Sequence, residues 1–240
     1  MPPATDNATA SARTIAVIGG TGAEGGGLAL RFAKAGARVR IGSRSLEKAQ
    51  EAARRVSEAA GAGEVTGHTN PEAARGAEIV LLTVPLAAQV EILKSIRGSF
   101  QTGAILVDAT VPLEIAIGGR LSRTVTLWDG SAAQQAARLA PEGVRVIAGF
   151  HALSAEALAR LDRPINSDTL LCGDDAEAKA AVSELAGLIP GVRAVDAGPL
   201  DNARLVESAA ALLISLNLRH KVRSSGMRIT GLERTEEGHR

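Results

Sequence analysis

Apolar residues in this chain fall into short unbroken runs, separated by stretches where they recur every three or four positions. Ile15-Ala16-Val17-Ile18, Ile79-Val80-Leu81-Leu82-Thr83-Val84 and Ile105-Leu106-Val107 are continuous and rich in β-branched side chains. That is the pattern of parallel strands covered on both faces. Strands are expected over 14–18, 38–42, 64–68, 79–84, 105–107 and 144–148. Amphipathic stretches between them predict helices over 28–35 and 46–60, and from Pro85 through Ile92. Asn70-Pro71 reads as a helix start, with asparagine as cap and proline at the first helical position. The alternation then resumes: a strand over 169–172, a helix over 176–188, a strand over 193–196 and a long helix from about 202 to 221. Strands and helices in turn predict an α/β fold, a doubly wound parallel sheet with helices on both faces.

Gly20-Thr21-Gly22-Ala23-Glu24-Gly25 follows the first strand and opens the first helix. Glycines in that place permit positive φ and let the backbone approach a pyrophosphate, which rests on free N–H groups at the helix start. The alternative is a glycine turn that only packs a helix on a strand. The strand–turn–helix context favours a Rossmann-type dinucleotide site.

The end of the second strand then chooses the dinucleotide. An NAD site places Asp or Glu there to bind the ribose 2′-hydroxyl. Here the residues are Gly42-Ser43-Arg44-Ser45, with Lys48 one helical turn on. A hydroxyl, a guanidinium and an ammonium bind a 2′-phosphate by charge-assisted hydrogen bonds, which points to NADP. The alternative is that Arg44 and Lys48 are ordinary solvated charges, Lys48 pairing with Glu47 or Glu51.

Composition narrows the chemistry. Charge is balanced at +1 over 240 residues, with 45% hydrophobic content, so the chain is globular and nothing suggests a nucleic-acid partner. Tyr is absent, which excludes the Tyr–Lys acid of short-chain dehydrogenases. His68, His151, His220 and His239 are scattered, no CxxC exists, and no metal site is expected. Of these, only His151 stands where a site would be; its alternative is a structural role at a strand end. Cys172 is the single cysteine, so no internal disulfide forms. Residues 1–12 lack the basic start and apolar centre of a signal peptide, and no apolar run approaches the roughly 20 residues of a membrane span. A cytoplasmic enzyme with few acid–base groups suggests direct hydride transfer between two bound carriers.

Several further segments carry a resemblance. They are Gly19-Gly20-Thr21-Gly22 with Gly25, Gly27 and Leu28; Leu82-Thr83-Val84-Pro85; and Cys172-Gly173-Asp174-Asp175. The most specific is Asp196-Ala197-Gly198-Pro199-Leu200 with Asn202 and Arg204-Leu205-Val206-Glu207-Ser208, and Gly226-Met227-Arg228-Ile229-Thr230-Gly231-Leu232 completes the set. Over nearly the whole chain this resembles the NADP reductases that use coenzyme F420, a 5-deazaflavin. The resemblance implies a homodimer and reversible hydride transfer between NADP(H) and F420. It implies an NADP-binding domain over 13–155 and a small C-terminal domain over 156–232 closing the F420 cleft, with tails over 1–12 and 233–240. The boundary within 151–168 is soft, because no Pro-, Gly- or Ser-rich linker marks it. Carried over by position, Gly20 to Gly25 hold the pyrophosphate, and Ser43, Arg44 and Lys48 the 2′-phosphate. Thr83, Val84, Pro85, Leu86 and Val90 line the cofactor. His151 positions the nicotinamide, with Leu153 and Ala155 packing the rings, and Gly226, Ile229 and Thr230 close the deazaflavin pocket.

Two departures stand out. Leu86 replaces a tryptophan common in archaeal members, and Ser154 replaces a proline. The basic group Arg219, His220, Lys221, Arg223 and Arg228 suits either the acidic tail of F420 or the helix dipole. Asp174-Asp175 reads as a cap for the helix from Ala176, and Asp201 or Asn202 as the cap of the long helix. Glu207, among aliphatic residues, reads as a structural hydrogen-bonding group. Rival functions are an NADPH reductase of a flavin, imine or ferric chelate, and a non-catalytic NADP sensor.

Overall fold

The computed structural model describes residues 13–232, so the tails expected over 1–12 and 233–240 lie outside the described residues. Strand β1 (Thr14–Ile18) is buried at every position. Its successive side chains point to opposite faces and seed two cores. On one face Ile15 and Val17 meet α1 (Ala23–Lys34) through Leu28 and Phe32, and α2 (Leu46–Ala60) through Ala49, Ala52 and Val56. On the other face Ala16 and Ile18 meet α3 (Asn70–Ala74), α4 (Leu86–Ile96) and α5 (Ala132–Leu139).

The remaining strands of this sheet are β2 (Arg38–Ser43), β3 (Glu64–Thr69), β4 (Ile79–Leu82), β5 (Ile105–Asp108) and β6 (Arg145–Ala148). All pair in parallel, in the order β3-β2-β1-β4-β5-β6. The chain winds outward from β1 to β3, then returns to β4 and winds the other way. A crevice opens where the winding reverses, beyond the carboxyl ends of β1 and β4.

After the sheet come α6 (Ala155–Ala159), β7 (Ser167–Leu171), α7 (Ala176–Gly187), β8 (Val192–Asp196) and α8 (Ala203–His220). β7 and β8 form a parallel pair. Ala148 and Cys172 exchange N–H···O bonds of 2.8 and 3.0 Å, an antiparallel bridge from β6 to this pair. Leu158, Leu171, Val182 and Val192 belong to the same apolar cluster as Leu28 and Phe32, so the core runs unbroken into this part. Phe32 and Phe150 meet edge to face with centroids 6.2 Å apart.

The α1–α6 contact is unusually close. A Cβ on Gly27 would stand 2.7 Å from Leu158 Cβ. One turn later Arg31, 3% exposed, donates to the carbonyls of Leu158 (2.9 Å), Ala157 (2.8 Å), Arg163 (3.2 and 3.3 Å) and Arg160. One guanidinium thus holds the end of α6 and the loop after it.

Several expectations need correction. The first helix begins at Ala23 rather than 28; Gly25, Gly26 and Gly27 are poor helix formers, yet the turn and Leu158 leave no room for larger residues. Helix α3 is capped by Thr69, not Asn70: Thr69 and Glu72 form a capping box and Pro71 is the second helical residue. Neither Asp201 nor Asn202 caps α8 with its side chain. Asn202 donates to the Ala197 carbonyl (2.7 Å) and Asp201 accepts from Gln134 (2.8 Å). Asp175 does cap α7, accepting from Ala178 N at 2.7 Å, while Asp174 accepts from Leu200 N. Helices α5 and α6 were not expected.

Candidate functional site

The glycine turn is shaped by contacts that exclude side chains. Gly19 has φ +87°, and a Cβ there would lie 2.6 Å from the Thr83 carbonyl. A Cβ on Gly25 would collide with Thr83 Oγ1 and lie 2.8 Å from the Gly19 carbonyl. The backbone therefore folds tightly against β4. Gly22 occupies the N-cap and offers no side chain to the N–H groups of the first turn of α1. Those donors, at the positive end of the helix, suit a pyrophosphate.

At the mouth of β2, Ser43 accepts from Ser45 N (3.3 Å), and Ser45 in turn caps α2 by accepting from Lys48 N (3.3 Å). This fixes the backbone that carries Arg44 and Lys48. Both side chains are exposed and make no ion pair among the described residues. Glu51 pairs with Arg55 at 3.2 Å instead of with Lys48. Two cations without ion pairs among the described residues and a hydroxyl thus follow the strand end that is bonded to the glycine turn, Gly19 N donating to the Gly42 carbonyl at 3.2 Å.

The opposite side of the crevice is a cleft of about 570 Å³. Gly22, Ala23 and Glu24 form its floor, with Thr83, Val84 and Pro85 from the end of β4. Thr83 Oγ1 donates to the Ile18 carbonyl (3.0 Å), locking the ends of β4 and β1 together. His151, Leu153 and Ala155 form the wall that follows β6. The His151 ring is buried, its Nε2 has no partner among the described residues, and burial pushes its pKa down to about 4. It is therefore a neutral imidazole near pH 7, with one ring nitrogen free for a ligand. Phe150, just before it, holds φ +68°, a conformation costly for a residue with a Cβ, which turns the chain sharply into the wall.

Ser154 serves two purposes. Its hydroxyl caps α6, accepting from Ala157 N (3.3 Å), and donates to the Arg223 carbonyl (2.9 Å). The wall is thereby tied to the segment after α8. Across the cleft, Ala210, Leu213, Ile214 and Asn217 line it from one stripe of α8, and Val111, Leu113 and Ile115 from the loop after β5. Sequence reasoning missed these. The only signal was the apolar face of 209–218, which reads as interface or core.

Not every expected residue reaches this cleft. Leu86 and Val90 are half-buried on α4, outside its lining. Gly226 borders a smaller adjoining pocket with Ser154, Arg160 and Arg163. Ile229 and Thr230 line neither. The Ile229 backbone donates to Asp168 (2.7 Å) and accepts from Arg193. Arg228 is also structural: it pairs with Asp168 (2.8 Å) and donates to Asn166 and the Gly191 carbonyl. Asp168 is fully buried, and burial alone would raise its pKa, but Arg193, Ile229 N and Arg228 hold it down to about 2. Arg223, by contrast, does border the cleft.

Three carboxyls cluster here: Glu24 lines the cleft, and Asp108 and Glu207 are buried behind it. Burial, and then Asp108, push Glu24 up to about 8. Asp108, at the end of β5, is raised to about 6 by burial, against bonds from Thr110 and Gln89. Glu207 accepts from Ala132 N (3.0 Å) and Ala133 N (3.1 Å), so it closes the start of α5 as a structural group; burial pushes it up to about 8. No group of three or more His, Cys, Asp or Glu suited to a metal ion exists among the described residues.

Residues 14–112 match the family model described as NADP oxidoreductase, coenzyme F420-dependent. The F420-dependent NADP reductase of Methanothermobacter thermautotrophicus is 50% identical over 225 residues, covering 92% of this chain and 97% of the relative. That of Methanocaldococcus jannaschii is 39% identical, covering 91% and 99%. A crystal structure from Arthrobacter sp. FB24, provisionally described as an F420-dependent NADP reductase, superposes with a TM-score of 0.77 at 25% identity, covering 91% of this chain and all of the other. Mycobacterium tuberculosis 3-hydroxyisobutyrate dehydrogenase, at 15% identity and TM-score 0.59 over 87% of this chain and 60% of its own, shares the fold.

Proposed function

The chain belongs to the family of F420-dependent NADP reductases, and from that premise we propose that it carries a hydride reversibly between NADP(H) and F420 in the cleft beside its glycine turn. The observation that carries this reading is convergence. The glycine turn and the His151 wall, far apart in sequence, line one cleft, and the Ser43–Arg44–Lys48 cluster follows the strand end bonded to that turn, Gly19 N donating to the Gly42 carbonyl at 3.2 Å.

The residues present fit an NADP. Gly22, Ala23 and Glu24 offer first-turn N–H groups to the pyrophosphate. Arg44 and Lys48, with Ser43, offer charge to the 2′-phosphate. With the adenosine end fixed at β2, the nicotinamide half extends over the ends of β4 and β5. There the free Nε2 of His151 would hold the carboxamide, and Thr83, Val84 and Pro85 would support one edge of the ring. Leu153 and Ala155 on one side and Ala210, Leu213 and Ile214 on the other leave a slot for a second flat heterocycle. Bound together, the two carriers supply the redox chemistry, a hydride passing between C4 of the nicotinamide and C5 of the deazaflavin. The chain contributes orientation and dryness: its aliphatic lining excludes water, and its neutral histidine adds no competing charge.

We read 13–155 as the NADP unit and 156–232 as the part that closes the second slot. The pairing of two copies is proposed from α8, where Leu205, Leu212 and Leu216 are exposed along one stripe, apart from the stripe that lines the cleft. A reducing, cytoplasmic setting agrees with the single buried Cys172. No helix among the described residues is long and apolar enough to cross a membrane.

The decisive experiment mixes protein, NADPH and F420. The visible band of the deazaflavin should bleach as NADPH is consumed. Tight NADPH binding without bleaching would overturn the reading in favour of another acceptor or of a sensor.

A further inference from the structure

The cleft floor holds a carboxyl whose placement the hydride transfer itself leaves unexplained. Glu24 is the second residue of α1; its side chain lines the cleft and feels the charge of Asp108 at the end of β5. Its Oε1 is shielded from solvent and has no hydrogen-bond partner among the described residues. No Lys or Arg pairs with it among the described residues. A phosphate-binding turn gains nothing from a carboxyl in this position, since a negative charge there repels the ligand. An aliphatic residue would fill the space without leaving a polar atom unsatisfied.

The sheet order says which part of the ligand passes over it. With adenosine on the β2 side, the redox ring would reach past the helix start toward β4 and β5, and the Glu24 side chain, which feels the charge of Asp108 on β5, is on that side. The reduced ring is neutral and the oxidised ring is a cation. The groups facing Glu24 are few. Asp108 on β5 is buried beside it, and Glu207 on α8 lies beyond Asp108, bonded to the start of α5. His151 stands across the cleft after β6, and Glu156 of α6 and Arg223 after α8 stand on the rim. α4 contributes only the neutral Gln89, which donates to Asp108.

We propose that Glu24 senses the redox state of the nicotinamide: it gives up its carboxyl proton when the cationic NADP+ ring binds, and keeps it when neutral NADPH binds. The O–H bond breaks, the proton leaves to solvent, the carboxylate stays beside the ring, and no electrons move. This rests on the functional reading above and adds a residue that sets preference between the two cofactor forms. Burial and Asp108 hold the free carboxyl protonated at neutral pH, with its pKa near 8, so the proton is available to be released. Asp108 alone does not serve, because Thr110 N and Gln89 already hold its oxygens.

Linkage turns this into a measurement. Each proton released makes binding about tenfold tighter per pH unit. NADP+ binding should therefore strengthen up to about tenfold per unit from pH 6 toward 8, and NADPH binding should not. The 2′-phosphate also titrates near pH 6, but it is common to both nucleotides and cancels in the difference.

The experiment is titration calorimetry of NADP+ and of NADPH, between pH 6.5 and 8.5, in two buffers of different ionisation enthalpy. Wild-type protein should release close to one more proton with NADP+ than with NADPH at pH 7, and Glu24→Gln should abolish that difference. Equal proton counts for the two nucleotides in wild-type protein would overturn the proposal, whether or not the variant folds. A difference that persists in Glu24→Gln, or in Glu24→Leu, would assign it to another group and also overturn it. Absence of binding by either nucleotide would sink the functional reading as well.

Discussion

Removing Arg44 and Lys48 tests the cofactor assignment most directly. A bound 2′-phosphate carries roughly −1.5 to −2 charges at neutral pH. A unit charge about 4 Å away contributes roughly 1 kcal/mol where water screens fully, and about 4 kcal/mol near a protein surface. Both side chains are exposed and make no ion pair among the described residues, so the lower half of that range applies. Hydrogen bonds to charged groups are worth about 1.5–3 kcal/mol, which bounds each loss from above. Arg44→Ala or Lys48→Ala should thus cost about 1–2 kcal/mol, weakening NADPH about 5- to 30-fold. The double variant should lose about 2–4 kcal/mol. NADH, which lacks the phosphate, should bind within about twofold of wild type. Raising salt from about 0.05 to 0.5 M should shrink the wild-type preference, because screening acts on exposed charges. Calorimetry with both nucleotides on all four proteins gives the ratio. A double variant that still prefers NADPH to NADH as wild type does would refute the placement of the phosphate, and with it the reading of β2.

Two further outcomes follow from packing and charge. Gly27→Val should destabilise the fold by about 1–3 kcal/mol in urea melts, because its Cβ meets Leu158 and α6 must move. NADPH binding should weaken with it, since α6 starts at Ala155 in the cleft wall; unchanged stability would show that α6 shifts freely. Asp168 has a folded pKa of about 2, below its ordinary 3.8. Its contribution, about 2 kcal/mol, is therefore complete above about pH 4 and lost as pH falls through 2. Melts of wild type and Asp168→Asn between pH 5 and 2 should converge at the acid end, and parallel curves would rule this out.

Most of the nucleotide half was legible because its signals are local. Strand runs, the glycine turn and the cations after β2 each sit within a few residues, and α2 spans the expected 46–60. Glu207 was read as a structural bonding group and is one. The cleft wall was harder. Helix α5 is amphipathic but only eight residues long, and α6, with five, is too short to show a period and depends on a hydroxyl cap and on Arg31. Helix α8 is apolar on two sides, and periodicity alone does not say which side faces a ligand. Ile229 and Thr230 could not be placed from spacing either. Their position depends on Asp168, about sixty residues earlier, which draws the closing segment onto β7 and away from the cleft.

Arg31 attaches the α6 loop through main-chain oxygens only. An anchor of that kind does not depend on which amino acids occupy the loop. The exposed side chains between Glu156 and Arg163, with buried Leu158 excepted, are therefore free to vary while the rim stays where it is. A designer seeking a different electron acceptor has in this loop a region to randomise, with Arg31 and Gly27 kept fixed as the foundation.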